Sequence, residues 1–76
     1  MSKQEIVAML EDSIGGDEVI EAWELPNAYV FVVDTGETEF DPMLYRLGKS
    51  EAIPTAIDQS SDEMAMVANN RAKRIK

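Results

Sequence analysis

The chain has 76 residues, the length of one small domain (residues 1–76), and it contains neither cysteine nor histidine. These absences exclude a disulfide framework, a thiolate or imidazole metal site, and acid–base catalysis by histidine. The formal net charge of −8 repels nucleic acid and anionic membranes, so we expect neither as a partner. The sequence has no apolar run near the roughly 20 residues of a membrane span and no signal-peptide core, and we expect a cytoplasmic protein.

The first predicted element is a helix over residues 3–14. Ser2 and Glu5 have the spacing of a capping box, in which each side chain accepts a hydrogen bond from the other residue's backbone amide. Apolar residues then recur at helical spacing as far as Ile14. Gly15–Gly16 ends the pattern, because glycine readily adopts the left-handed conformation found at helix ends.

Two strands joined by a proline–asparagine turn are predicted next, over residues 18–25 and 28–34. In the first strand, alternation places Glu21 on the same face as Val19 and Trp23, which interrupts the apolar pattern. The second strand is apolar at five consecutive positions, which indicates a central strand that is covered on both faces. The pair is expected to form an antiparallel hairpin.

The middle of the chain predicts an acidic loop followed by further strands. Residues 34–42 have turn and loop composition. Residues 43–47 alternate again and predict a third strand, antiparallel to the central one. Residues 52–57 favour a short fourth strand at an edge of the sheet, because Pro54 cannot donate a backbone hydrogen bond.

The last predicted element is a helix over residues 61–74. Ser60 and Glu63 have the spacing of a second capping box, and basic residues fall in the predicted last turn, where the helix dipole favours them. The fold class is therefore α+β, in the order α-β-β-β-(β)-α. We expect a three- or four-stranded antiparallel sheet, with the N-terminal and the C-terminal helix on one face around a single core.

The charge of the chain is divided unevenly. Residues 1–63 hold all 15 acids and three basic residues, a charge of −12, whereas residues 64–76 hold four basic residues and no acid, a charge of +4. We expect the basic end to complement the dipole of the last helix and to pair with the acidic sheet.

The triplet Asp34-Thr35-Gly36, placed after an apolar strand, resembles the active-site triplet of the aspartic proteases, and a single copy in a short chain resembles the retroviral kind. The resemblance implies a homodimeric hydrolase in which two copies of Asp34 share a proton, Thr35 braces the paired loops, and Gly36 permits their close approach. That family has a small residue after the triplet, where this chain has Glu37. The alternative is a strand that ends in a turn.

The same loop carries four acids at near-alternate positions: Asp34, Glu37, Glu39 and Asp41. Carboxylate oxygens with this spacing suit a cation such as calcium, although the spacing is not that of an EF-hand loop. The alternative is a solvated acidic loop with no resident metal.

If both helices cover one face of the sheet, the other face keeps the apolar residues of the central strand, and an exposed apolar face marks a partner or homodimer contact. We therefore expect a non-enzymatic protein-interaction module without metal or cofactor, a description that fits small acidic antitoxin, immunity and phage-inhibitor proteins. Its expected partner is a protein with a basic surface or a second copy of the chain. The aspartic-type hydrolase and the cation binder remain the alternatives. The residues expected at the interface are Trp23, Tyr29, Phe31, Glu37, Glu39, Asp41 and Tyr45.

Overall fold

The computed structural model describes residues 1–34, 36 and 43–76. In chain order its elements are α1 (Lys3–Ser13), β1 (Glu18–Glu24), β2 (Ala28–Asp34), β3 (Met43–Gly48), β4 (Thr55–Ala56), α2 (Asp62–Ala68) and β5 (Lys73–Arg74). Within this part of the chain, all neighbouring strands are antiparallel, and the sheet order is β4-β3-β2-β1-β5. The predicted α+β class is confirmed. The fourth strand lies at an edge of the sheet, as the presence of Pro54 predicted.

Helix α1 begins and ends as its sequence predicts. The Oγ atom of Ser2 accepts from the Glu5 amide at 3.1 Å, and the Glu5 carboxylate accepts from the Ser2 amide at 3.0 Å. Gly15–Gly16 follows the helix with φ angles of 81° and 96°, which favour glycine. Ile6 and Leu10 form the buried stripe of the helix. Of the helices in the described residues, neither is long and apolar enough to cross a membrane.

Strand β1 contains a bulge at Ile20, because the residues on either side of it pair with two consecutive residues of β2. The extra residue changes the face to which the following side chains point. Val19 and Ala22 therefore both lie in the apolar cluster under α1, whereas Glu21 and Trp23 lie on the opposite face. The bulge explains why Glu21 interrupted the alternation in the sequence.

Strand β2 lies at the centre of the sheet and is covered on both faces. Phe31 and Val33 are fully buried in the cluster that contains Leu10 of α1. Val30 is fully buried in a second cluster, against which Met64 of α2 packs. The prediction of two helices on one face around a single core is wrong, because a strand that is apolar at successive positions presents apolar side chains to both sides.

The C-terminal residues differ most from the prediction. The N-cap of α2 is Ser61 and not Ser60, and the helix ends at Ala68. Asn70 then turns the chain with a φ of +58°, a conformation that asparagine tolerates better than most residues. The predicted helix over residues 61–74 is therefore wrong in its second half, where β5 pairs with the edge of β1.

Arg46 makes two ion pairs, one with the turn after β3 and one that joins α2 to the sheet. Arg46 of β3 lies on the α2 face, where its Nη1 atom is 3.0 Å from Glu51 Oε1 and its Nε atom is 2.9 Å from Glu63 Oε2. The Nε contact is short enough for an ion pair but is not aligned as a hydrogen bond. All three side chains keep part of their surface in solvent, so the contribution of these contacts is modest.

Replacing Leu10 by alanine is expected to lower the free energy of unfolding by about 2–5 kcal/mol, because the change leaves a cavity in the core. Met64→Ala is expected to cost less, because Met64 is only half-buried on the opposite face. Ile53→Ala is the control, since this side chain is 80 % exposed, and its effect should stay within about 0.5 kcal/mol. Urea denaturation measures all three, and a Met64 variant as destabilised as the Leu10 variant would contradict the prediction.

Candidate interaction surface

The four aromatic residues predicted at an interface are divided between the two faces of the sheet. Phe31 is fully buried and stacks on half-buried Tyr45, with ring centroids 5.8 Å apart. Tyr29 shares their face, and Trp23 lies on the other. The structure therefore does not bring these aromatic residues together on one open face. The side chain of Phe31 is out of a partner's reach in this fold, because α1 covers it.

Tyr29 lies under a cation that also makes an ion pair. The Nζ atom of Lys49 is 5.4 Å from the centre of the Tyr29 ring and 2.6 Å from Glu24 Oε2. The hydrogen bond from Lys49 is the main cause that lowers the pKa of Glu24 below its ordinary value of 4.5. The same bond raises the pKa of Lys49 above 10.5. This contact joins the end of β1 to the turn after β3.

Trp23 is the only tryptophan of the chain, and a cation of β5 lies over it. The guanidinium carbon of Arg74 is 5.6 Å from the centre of the Trp23 ring, within the range of a cation–π interaction. An Nη atom of the same residue is 3.5 Å from Glu21 Oε2. Trp23 and Glu21 lie on one face of β1, so Arg74 covers both of them.

The residues after β5 complete the contact with β1. Ile75 is 9 % exposed and belongs to the cluster under α1. Its amide and that of Lys76 both donate to the Ala22 carbonyl, and Lys76 Nζ donates to the Val19 carbonyl at 2.7 Å. The expected pairing of the basic end with the acidic sheet is thus present. The expected dipole contact is not, because α2 has no basic residue in its last turn.

The acidic loop is described only near its start. Asp34 is exposed at the end of β2, and its Oδ1 atom accepts from the Gly36 amide at 2.9 Å. Gly36 has a φ of +80°, a conformation that favours glycine. Within the described residues, no group of three carboxylate residues is placed to hold a metal ion. The remaining residues of the predicted triplet and cation site lie outside the described residues: Thr35, Glu37, Glu39 and Asp41.

The end of the β1–β2 hairpin concentrates negative charge. Glu18 and Asp34 are directly opposite each other in the ladder, and both are exposed. Asp17, also exposed, immediately precedes Glu18. Like charges at directly opposed positions destabilise a sheet, typically by a few tenths of a kcal/mol to about 1 kcal/mol. Two carboxylate residues are therefore placed at directly opposed positions of the ladder at this end of the hairpin.

The strand that covers the edge of β1 differs from the helix end that its sequence predicts. Asn69–Asn70 was the available signal, because asparagine commonly ends helices in the left-handed conformation. The alternation of Ala72, Arg74 and Lys76 with Lys73 and Ile75 then suits an edge strand as well as a helix end.

Comparison with protein-family models, with curated proteins and with solved structures finds no match for this chain.

The ion pair between Glu24 and Lys49 predicts a pH dependence. A lowered pKa for Glu24 means that its stabilising effect is present above the unfolded value, near pH 4.5, and is lost as the pH falls through the folded value. The raised pKa of Lys49 keeps the effect up to pH 10.5. Glu24→Gln should therefore lower the melting temperature slightly at pH 7. The difference from the parent should vanish as the pH falls well below the unfolded value of 4.5, as followed by circular dichroism, and a difference independent of pH would contradict this.

Proposed function

We propose that this protein is a non-enzymatic interaction module that binds a partner protein with a basic surface, through the acidic end of its β1–β2 hairpin. The observation that supports this most is the placement of Glu18 directly opposite Asp34. Asp17 adds a third exposed carboxylate beside them. The absence of cysteine and histidine from the sequence favours binding over catalysis, because the commonest nucleophile–base pairs are missing.

A basic partner would relieve the repulsion expected between the opposed carboxylates of Glu18 and Asp34. Opposed carboxylates cost stability when the protein is alone, whereas a lysine or arginine placed between them interacts favourably with both. The wider acidic surface adds long-range attraction, since residues 1–63 carry a charge of −12. Such a field raises the rate of encounter with cationic partners and disfavours anionic ones.

A basic partner is favoured over a second copy of the chain. The expectation of a homodimer rested on an uncovered apolar face of the sheet, and α1 and α2 each cover one face. Two identical chains of charge −8 also repel each other at low salt. Sedimentation of the full chain at increasing concentration measures any self-association directly.

The first test uses the stability of the free protein. Glu18→Gln and Asp34→Asn are each expected to raise the free energy of unfolding by about 0.2–1 kcal/mol, because each removes one of two opposed charges. Asparagine keeps the oxygen that accepts from the Gly36 amide. The double variant should gain less than the sum, since either change alone removes the same repulsion. Strict additivity in urea denaturation would show that the two carboxylates do not interact.

The second test measures binding. Immobilised full-length protein is expected to retain a basic protein from lysate of its native cell, and to release it as the salt concentration rises. The variant with both Glu18→Gln and Asp34→Asn should retain much less. Asp62→Asn together with Asp58→Asn is the matched control, because it removes two exposed acids from the segment that leads into α2. Equal retention by the two double variants would contradict the proposed site.

A further inference from the structure

We infer that the outer edge of β1 is a docking site for an extended basic segment of the partner protein, and that β5 occupies this edge while the protein is alone. The inference rests on the proposed function and adds the surface and the chemistry of the segment that binds. It is carried by the charge pattern of β5, by its short ladder, and by a groove beside Ile75.

The contacts of β5 define what the edge accepts. In the ladder, Arg74 pairs with Trp23 and Lys73 pairs with Glu24. The Arg74 guanidinium lies over the Trp23 ring and reaches Glu21. An occupant therefore needs an extended backbone, a guanidinium for the indole and the carboxylate, and further positive charge for the end of β1.

The ladder of β5 is short for a strand of a sheet. Both of its residues are exposed, and its ladder covers only two residues of the seven in β1. The ion pair to Glu21 joins side chains that are 63 % and 43 % exposed, so solvent screens it strongly. Segments with few buried contacts open at low free-energy cost. The segment is also held by Ile75, at 9 % exposure, and by backbone hydrogen bonds of Ile75 and Lys76 to Ala22, which an incoming segment has to replace.

Beyond β5, side chains rather than a strand close the edge of β1. Among the described residues, no strand pairs with Glu18 to Ile20 on this side, but the Val19 amide donates to Glu11 and the Val19 carbonyl accepts from Lys76 Nζ. A longer segment would extend toward the acidic end of the hairpin only by displacing these two side chains. A groove of about 340 Å³ lies beside Ile75, with Val7 and Ala8 of α1 among its lining residues and Lys3 at its border. A partner segment with a larger apolar residue at the position of Ile75 would fill it.

The test uses the full chain and a labelled peptide with the sequence Arg-Ala-Lys-Arg-Ile-Lys, that of residues 71–76. In the variant Ile75→Asp, a buried apolar anchor becomes a charge, and β5 should leave the edge. The peptide should then bind with an apparent Kd about tenfold or more below that for the parent, because the edge of β1 is open in most molecules of the variant and in few molecules of the parent. Fluorescence anisotropy measures the Kd, and Trp23 emission should shift to the red in the variant and return when the peptide binds.

Two further variants make the result specific. Arg74→Gln loosens β5 but leaves Ile75 in place, so it should fold normally and bind the peptide about threefold more tightly than the parent. Ala56→Asp places the same extra negative charge on exposed β4, at the opposite edge of the sheet, and should bind like the parent. A peptide with aspartate in place of its isoleucine should not bind. A peptide with phenylalanine there should bind about threefold more tightly, by filling the groove.

The inference is overturned if Ile75→Asp, shown to be folded by circular dichroism, binds the peptide no better than Ala56→Asp does. It is also overturned if Arg74→Gln binds the peptide like the parent. This second criterion applies even if the Ile75→Asp variant is unfolded. If this happens while capture of a basic protein still depends on Glu18 and Asp34, the docking edge is wrong and the proposed function stands. Loss of that capture dependence would remove the proposed function itself.

Discussion

The structure depends on the burial of β2 from both sides. Its central residues, Val30, Phe31 and Val33, are all fully buried although neighbouring residues of a strand point in opposite directions. A sheet built around such a strand needs an apolar layer on each face. Helix α1 supplies one layer with fully buried Leu10, and α2, which has no fully buried residue, supplies a thinner one. In a chain of 76 residues this leaves little apolar material for any other purpose.

The edges of the sheet are protected by short segments rather than by long strands. Both outer strands, β4 and β5, contain only two residues in the described part of the chain. Short edge strands limit pairing with other chains, which is a common hazard of exposed sheet edges. At one edge the short protecting strand is β5, which is basic and pairs with the acidic strand β1. The charge complementarity that attaches this segment is also the basis of our proposal that a basic segment of another protein docks at this edge.

The candidate surface was predicted only in part. The acidic character of the body and the pairing of the basic end with the sheet followed from composition and from the uneven distribution of charge along the chain. The aromatic face did not follow, because its prediction assumed that the helices share one side. Trp23 and Tyr29 lie on opposite faces, each covered by a cation, Arg74 or Lys49, from a segment distant in sequence. Contacts between such distant positions are set by the topology, which local patterns do not encode.

The sequence by itself determined the helix with its Ser2–Glu5 capping box, the antiparallel hairpin, and the central position of β2, because each depends on spacing within a few residues. Only the tertiary structure decided that α1 and α2 lie on opposite faces, that a bulge at Ile20 places Glu21 on the face opposite Val19, and that Lys73–Arg74 is a strand. In each of these cases the deciding contact is with a residue far away in the sequence. The basic C-terminal segment is compatible with a helix end or an edge strand, and the unpaired backbone of β1 is what selects the strand.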